Sequence, residues 1–252
     1  KRQRKAANGD LDDIRACVAC NQACIGHMLN ACSISCIQRP ETGRELQYAN
    51  ISKTKLKKSI LVAGGGPAGV KAACIAADRG HRVTLCEKSN SLGGQINLAQ
   101  SLPGRAEFGG IITNLNKELT KTTVSVRFNS FVNLDLIEEL APDVVIAATG
   151  ATPYMPEIQG AEEAHVVNAW QVLEGKANVG GCVVIADWRC DWVGLGLAEL
   201  LVKQGCHIRL AVNGMVAGQN IPQYARDAWI GKLHKFGVEI IPHVRLLGVD
   251  SE

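Results

Sequence analysis

The feature that most constrains this chain is Gly64-Gly65-Gly66-Pro67-Ala68-Gly69, set between a short apolar run and an alanine-rich one. Ser59–Ala63 reads as a β run and residues 67–79 as a helix, so the glycines fall at a strand-to-helix turn. In that setting Gly64 permits the tight turn and Gly66 lets the backbone approach a pyrophosphate. Gly69 lets the helix pack closely on the sheet. The free N–H groups and partial positive charge at the helix start then suit phosphates. Glu87, with Lys88 beside it, closes the next expected strand, Arg82–Cys86, at the spacing of about twenty residues from which an acid reaches a ribose hydroxyl. A carboxylate there repels a 2′-phosphate, so the site favours FAD or NAD over NADP. The plainer role of Glu87, a surface acid at a strand end, stays open.

The alternation of short β runs and helices continues along the chain. A helix is expected around residues 108–119 and an apolar strand at 143–148. A second pass gives a strand at 182–186, a helix at 193–204, a strand at His207–Val212, a helix at 223–236 and a strand at 238–241. This order predicts an α/β protein of Rossmann-like folds, with parallel sheets and crossover helices. Three regions follow: an irregular cysteine-rich segment at 1–56, a dinucleotide-binding domain at 57–150, and a second nucleotide-type domain at 151–252. The last opens with a Pro- and Gly-containing connector and reads as truncated soon after Val249.

That second domain also reads as degenerate. Where glycines should follow its first strand stands Asp187-Trp188-Arg189-Cys190-Asp191-Trp192-Val193-Gly194. Asp187 brings negative charge toward any phosphate, and two tryptophans stand where small residues belong. Gly194 and Gly196 come too late for the turn and suit helix packing. The next strand ends in Val212-Asn213, with neither an acid for NAD nor an arginine for a 2′-phosphate.

Five of the ten cysteines lie between Cys17 and Cys36; Cys74, Cys86, Cys182, Cys190 and Cys206 are scattered singly through apolar stretches. One tight cluster ahead of a nucleotide fold reads as a metal site rather than a disulfide scaffold. Cys17, Cys20, Cys24 and Cys36 space three sulfurs closely and a fourth at a distance, which suits an iron–sulfur cluster; zinc and plain thiols remain alternatives. Cys32 is a spare that could replace Cys36. With 27 basic and 24 acidic residues the formal net charge is only +3, which gives no reason to expect nucleic acid or an anionic membrane as partner. No secretory signal or run of about 18 apolar residues is present, and a cytoplasmic protein is expected.

Cys17-x-x-Cys20-Asn21-Gln22-x-Cys24 with Cys36, then Gly64–Gly69, then Leu92-Gly93-Gly94-Gln95, resembles one family across essentially the whole chain. It is the group of 2,4-dienoyl-CoA reductase, trimethylamine dehydrogenase and related N-demethylases. The resemblance implies a 4Fe-4S cluster on Cys17, Cys20, Cys24 and Cys36. It also implies FAD, or ADP in its place, on the Gly64–Gly69 motif, with Gly94, Gln95, Ala148, Thr149 and Gly150 as further contacts. Arg39 departs from the family, where Asn usually precedes the matching Pro40.

The same resemblance implies an FMN-bearing β/α barrel, as domain or subunit, that carries the substrate chemistry; no catalytic residue is therefore assigned in this chain. Reductases of the group need a working second site for NAD(P)H. Its amine dehydrogenases instead pass electrons through the cluster to an electron-transferring flavoprotein. The degenerate second turn favours an amine-oxidising dehydrogenase or N-demethylase, expected as a homo-oligomer. An NAD(P)H-dependent ene-reductase and a stand-alone electron-transfer module, compatible with the basic start Lys1–Lys5, are the competing readings.

Overall fold

The computed structural model describes residues 2–48 and 51–250, so Lys1 of the basic start lies outside the described residues. The chain divides into two compact units. One takes in Lys1–Cys20, Gln38–Gln100 and Arg105–Ala151; the other takes in Asn21–Ile37, Ser101–Gly104 and Thr152–Glu252.

The first unit holds a four-stranded sheet in the order β3-β2-β1-β4, formed by β1 (Ser59–Ala63), β2 (Arg82–Cys86), β3 (Ser125–Arg127) and β4 (Val144–Ala147). All pairings are parallel, with Ile60 opposite both Val83 and Val144. Consecutive residues Leu61 and Val62 are both buried, as a central parallel strand covered on two faces requires. Helices α1 (Pro67–Asp78) and α2 (Gly109–Leu119) pack on this sheet through Val70, Ala73, Cys74, Ile111 and Leu115. Cys74 is fully buried and its thiol is pushed up to about 11, chiefly by that burial, so it serves as a small apolar packing residue.

Charged contacts fasten the flanks of the cysteine run to these helices. Arg15 donates to Asn114 Oδ1 at 2.6 Å and pairs with Glu118 at 2.9 Å. Lys71 of α1 pairs with the same Glu118 and reaches Glu41 at 3.8 Å. The network thus ties residues before and after the cysteines to one pair of helices.

The second unit holds a parallel sheet β5-β6-β7, formed by β5 (Cys182–Asp187), β6 (His207–Val212) and β7 (Glu239–Ile241). Strand β5 runs one residue further than the sequence suggests, because Asp187 stays in the ladder opposite Val212. Helix α3 (Trp192–Lys203) buries Leu195, Leu197, Ala198 and Leu201, and α4 (Gln223–Lys235) adds Leu233 to the same core. The architecture is the α/β, parallel-sheet class expected from the element order. Among the described residues, no helix is long and apolar enough to cross a membrane.

Between α3 and α4 lies Glu199, only 1% exposed. It accepts from Trp229 Nε1 at 2.9 Å and pairs with Lys203 at 2.6 Å and with Lys232. Burial alone would raise its carboxyl, but the lysine hydrogen bonds outweigh it and hold the group below the ordinary carboxylate range. Glu199→Gln keeps an acceptor for the indole but loses the charge facing both lysines. It is expected to destabilise the chain by about 1–3 kcal/mol, read from the midpoint of urea unfolding.

Candidate dinucleotide site

The Gly64–Gly69 motif joins the end of β1 to the start of α1. Gly64 has φ +112°, and a side chain on it would run into the Ala148 carbonyl. A side chain on Gly69 would strike the Gly64 carbonyl, with the Ala148 Cβ 3.2 Å away. Glycine is therefore required at both places by close backbone approach, independently of any ligand. Gly66 N-caps α1 with Pro67 at the first helical position, and no side chain caps this helix start.

The other sequence-selected residues converge on the same turn. Gly93 N–H donates to the Gly65 carbonyl at 2.9 Å. A Cβ on Gly94 would come within 3.2 Å of Gly66 Cα, and one on Gly150 within 3.1 Å of Gln95 Nε2. Ala148 N–H continues the β1–β4 ladder to the Ala63 carbonyl at 2.8 Å, which sets Ala148, Thr149 and Gly150 beside the glycine turn. Lys88 is exposed.

Glu87 is buried rather than a surface acid. Its Oε2 accepts the Gly65 N–H at 2.6 Å, while Oε1 accepts the Ser89 N–H and hydroxyl, each at 2.8 Å. Burial pulls its pKa upward, yet the hydrogen bonds from Ser89 and Gly65 win and the group lies below its usual value. An ionised carboxylate is thus locked against the turn at the end of β2. Ser89 was not singled out from sequence; an S two residues after the strand-end acid is the only linear signal of it.

The corresponding turn of the second unit is built differently. Asp187 Oδ1 accepts the Arg189 N–H at 3.1 Å and the Cys190 N–H at 2.9 Å, so the turn's amides bond to a carboxylate of the turn itself. Asp191 N-caps α3, its Oδ1 accepting the Val193 N–H at 2.9 Å. Carboxylates rather than indoles fill this turn: Trp188 is 40% exposed, and Trp192 lies against Trp229 with ring centroids 6.0 Å apart. Gly194 is needed because a side chain there would meet the Asp187 carboxylate, and Gly196 packs on Leu102. The sequence pointed to Asp187 but missed Asp191, although Asp just ahead of an apolar helix is a recognisable cap signal. An open hollow of about 420 Å³ beside this turn is lined by Gln22, Arg189, Asp191, Trp192 and Asn220.

Of the expected metal ligands, Cys17 and Cys20 lie in the first unit and Cys24 and Cys36 in the second. None of the four is in a disulfide, and Cys20 is buried. The Ala19 N–H points to Cys17 Sγ at 3.4 Å, with Ala19 held at φ 50°. Following residues form one turn of wide helix at Gln22–Gly26, entered through Asn21 at φ 55°. An added side chain on Gly26 would meet the Asn21 carbonyl at 2.8 Å. Among the described residues, no three Cys, His, Asp or Glu side chains are grouped as a ready metal site. The donor chemistry nonetheless fits a thiolate-ligated group: four cysteines outside any disulfide, one already receiving an amide hydrogen bond.

A strand-to-helix glycine turn with an uncapped helix start and a braced acid at the next strand defines a dinucleotide-binding oxidoreductase fold. A family model described as pyridine nucleotide-disulphide oxidoreductase matches residues 58–252. The chain is 38% identical over 210 residues to an NADH oxidase of Thermoanaerobacter brockii, covering 82% of this chain and 32% of that protein. It is 33% identical over 232 residues to an N,N-dimethylglycine/sarcosine dehydrogenase of Chromohalobacter salexigens, covering 86% and 33%. The solved structure of a 2-naphthoyl-CoA reductase with 2-naphthoyl-CoA matches with a TM-score of 0.90 at 29% identity, over 98% of this chain and 37% of that one. The chain belongs to the pyridine nucleotide-disulphide oxidoreductase family of flavin-dependent oxidoreductases, within the group its motif order resembles. It spans about a third of the length of the curated relatives it matches.

Asp187 yields a pH prediction. Burial, the largest influence, pushes its carboxyl up from 3.8 to about 6, and its Oδ2 has no hydrogen-bond partner. The folded state therefore binds a proton more tightly than the unfolded state, and stability falls as pH rises between those values. The expected loss is up to about 3 kcal/mol between pH 4 and pH 6, levelling off above. Urea unfolding of the wild type and Asp187→Asn across pH 4–7 should show this loss in the difference between the two, since Glu87 and Glu199, held below their ordinary values, contribute the opposite slope near pH 4 in both.

Proposed function

We propose that this chain is the cluster- and dinucleotide-binding part of an iron–sulfur flavoprotein that oxidises amines, as a dehydrogenase or N-demethylase. Electrons leave it for a separate electron-transferring flavoprotein rather than being exchanged with a nicotinamide. One observation carries the choice: no side chain caps the helix start of the first unit, whereas in the second Asp191 caps the helix start and Asp187 takes up two amides of the turn before it. A dinucleotide entering the second turn would have to displace two carboxylates while bringing further negative charge beside them.

In the first unit, Gly64, Gly66, Pro67, Ala68 and Gly69 form the phosphate cradle for FAD, or for ADP in its place. Glu87 keeps one acceptor lone pair, on Oε2, for a ribose hydroxyl beyond the three used by Gly65 and Ser89, and the neighbouring Lys88 is exposed. Gly94, Gln95, Ala148, Thr149 and Gly150 supply the opposite wall. Cys17, Cys20, Cys24 and Cys36 would hold a 4Fe-4S cluster; the left-handed backbone at Ala19, which aims its N–H at the Cys17 sulfur, supports that role. When bound, such a cluster supplies one-electron transfer. The oxidation itself belongs to an FMN-bearing barrel, and the whole is proposed as a cytoplasmic homo-oligomer.

The 38% identity to an NADH oxidase favours a second reading, an NAD(P)H-dependent ene-reductase of the dienoyl-CoA reductase type. Anaerobic absorption titration of the holoprotein with NADH, NADPH and dithionite separates the two. The expected outcome is bleaching of flavin and cluster by dithionite and by neither nicotinamide. Rapid bleaching by either nucleotide would replace the amine-dehydrogenase reading with the reductase.

A further inference from the structure

Gly64, Gly66 and Gly69 each have a task in the turn, whereas Gly65 and the loop after β2 have none so far. A side chain on Gly65 would meet Leu92 Cδ2 at 2.5 Å and Glu87 Oε2 at 2.9 Å. The middle glycine is therefore required for Glu87 to close on the turn, which it does through the Gly65 N–H at 2.6 Å. The backbone that carries this acid is pinned from its other side. Glu87 N–H donates to the Arg127 carbonyl and Ser130 N–H to the Glu87 carbonyl, each at 2.9 Å. Asn129 N–H donates to the Ser89 carbonyl at 3.0 Å.

An ionised carboxylate has about four acceptor sites, two on each oxygen. On Oε1 both are taken, by the Ser89 N–H and the Ser89 hydroxyl, each at 2.8 Å. The hydroxyl has one proton and a second acceptor within reach, the Ser91 carbonyl, also at 2.8 Å. The charged carboxylate is the stronger of the two acceptors. On Oε2 the Gly65 N–H takes one site and leaves one. A ribose offers two neighbouring hydroxyls, and a carboxylate with both oxygens open can take both. Glu87 has room for one.

We propose that Ser89 is a positioning residue of the dinucleotide site: by filling Oε1 it restricts Glu87 to a single ribose hydroxyl, received on Oε2. This rests on the reading of Gly64–Gly69 and Glu87 as the seat of FAD or ADP. The site then distinguishes the two hydroxyls of one ribose instead of gripping both. Ser89 acts only through the carboxylate it holds, and no bond is made or broken.

The test is isothermal titration calorimetry of the full chain, freed of bound nucleotide, with ADP, 2′-deoxy-ADP and 3′-deoxy-ADP. Wild type, Ser89→Ala and Ser89→Thr are compared, with circular dichroism to check folding; Ser89→Gly, which also lacks the hydroxyl, replaces an alanine variant that does not fold. The wild type is expected to lose about tenfold in affinity for one deoxy analogue and less than about threefold for the other. Ser89→Ala opens a site on Oε1 and should bring the two losses within about twofold of each other. Ser89→Thr keeps the hydroxyl and should keep the wild-type preference. Equal losses for both analogues in the wild type, or no loss for either, overturn the proposal. So does a folded Ser89→Ala that keeps the wild-type preference, or a Ser89→Thr that behaves like it; the dinucleotide reading survives each of these, because ADP still binds. A wild type that binds none of the three nucleotides overturns that reading and this proposal together.

Discussion

The backbone amides at the carboxyl end of a parallel strand need partners, and this protein meets that need in two opposite ways. A strand that ends against a helix start leaves several N–H groups pointing into one small volume, with the helix dipole behind them. In the first unit Gly66 offers no side chain, and the α1 start stays free. In the second unit Asp187 and Asp191 turn their carboxylates back onto the chain. The same fold thereby leaves its helix start without a side-chain cap in one copy and capped in the other.

The two acids nearest these turns show why donor count decides charge. Glu87 receives three hydrogen bonds, spread over both oxygens, and stays ionised although buried. Asp187 receives two, both on one oxygen, while the other is buried without a partner; burial wins and its pKa rises. Position matters as well as number. Glu87 comes from the neighbouring strand and braces the turn at Gly65, leaving the helix start open. Asp187 belongs to the turn and occupies its amides.

Much of the fold was legible because it rests on local signals. Ser59–Ala63, Arg82–Cys86 and His207–Val212 fall where their apolar runs predict, and Gly64 and Gly69 stand where close backbone approach leaves no alternative. Asp187 was visible as an obstacle to phosphate, but its mode of action was not: the indoles beside it looked bulkier, yet Trp188 faces outward. Which side chain turns inward depends on the ladder register opposite β6, a tertiary fact that no run of residues discloses. Arg105 was invisible for the same reason, since an arginine in a polar stretch gives no sign that its guanidinium will lie against the Phe108 ring. The Glu199 staple likewise joins residues thirty positions apart on two helices.

The cysteine run has a different logic from the sheet units. Its residues form few regular hydrogen bonds, and its flanking Arg15 and Glu41 are held by Glu118 and Lys71 on the first unit's helices. Beyond Val18 and Cys20, which lie in an apolar core, such a segment gains little from burial: Cys17 is exposed, and Ala19 and Asn21 adopt left-handed backbone that non-glycine residues avoid. Strained backbone persists when something over-determines it. Here the ion-pair clamp fixes the ends, and hydrogen bonds such as Ser35 N–H to the Ala23 carbonyl at 2.6 Å hold the middle. A metal centre would then stabilise the segment as well as act in it, so its loss should loosen residues 17–36 before it disturbs either sheet.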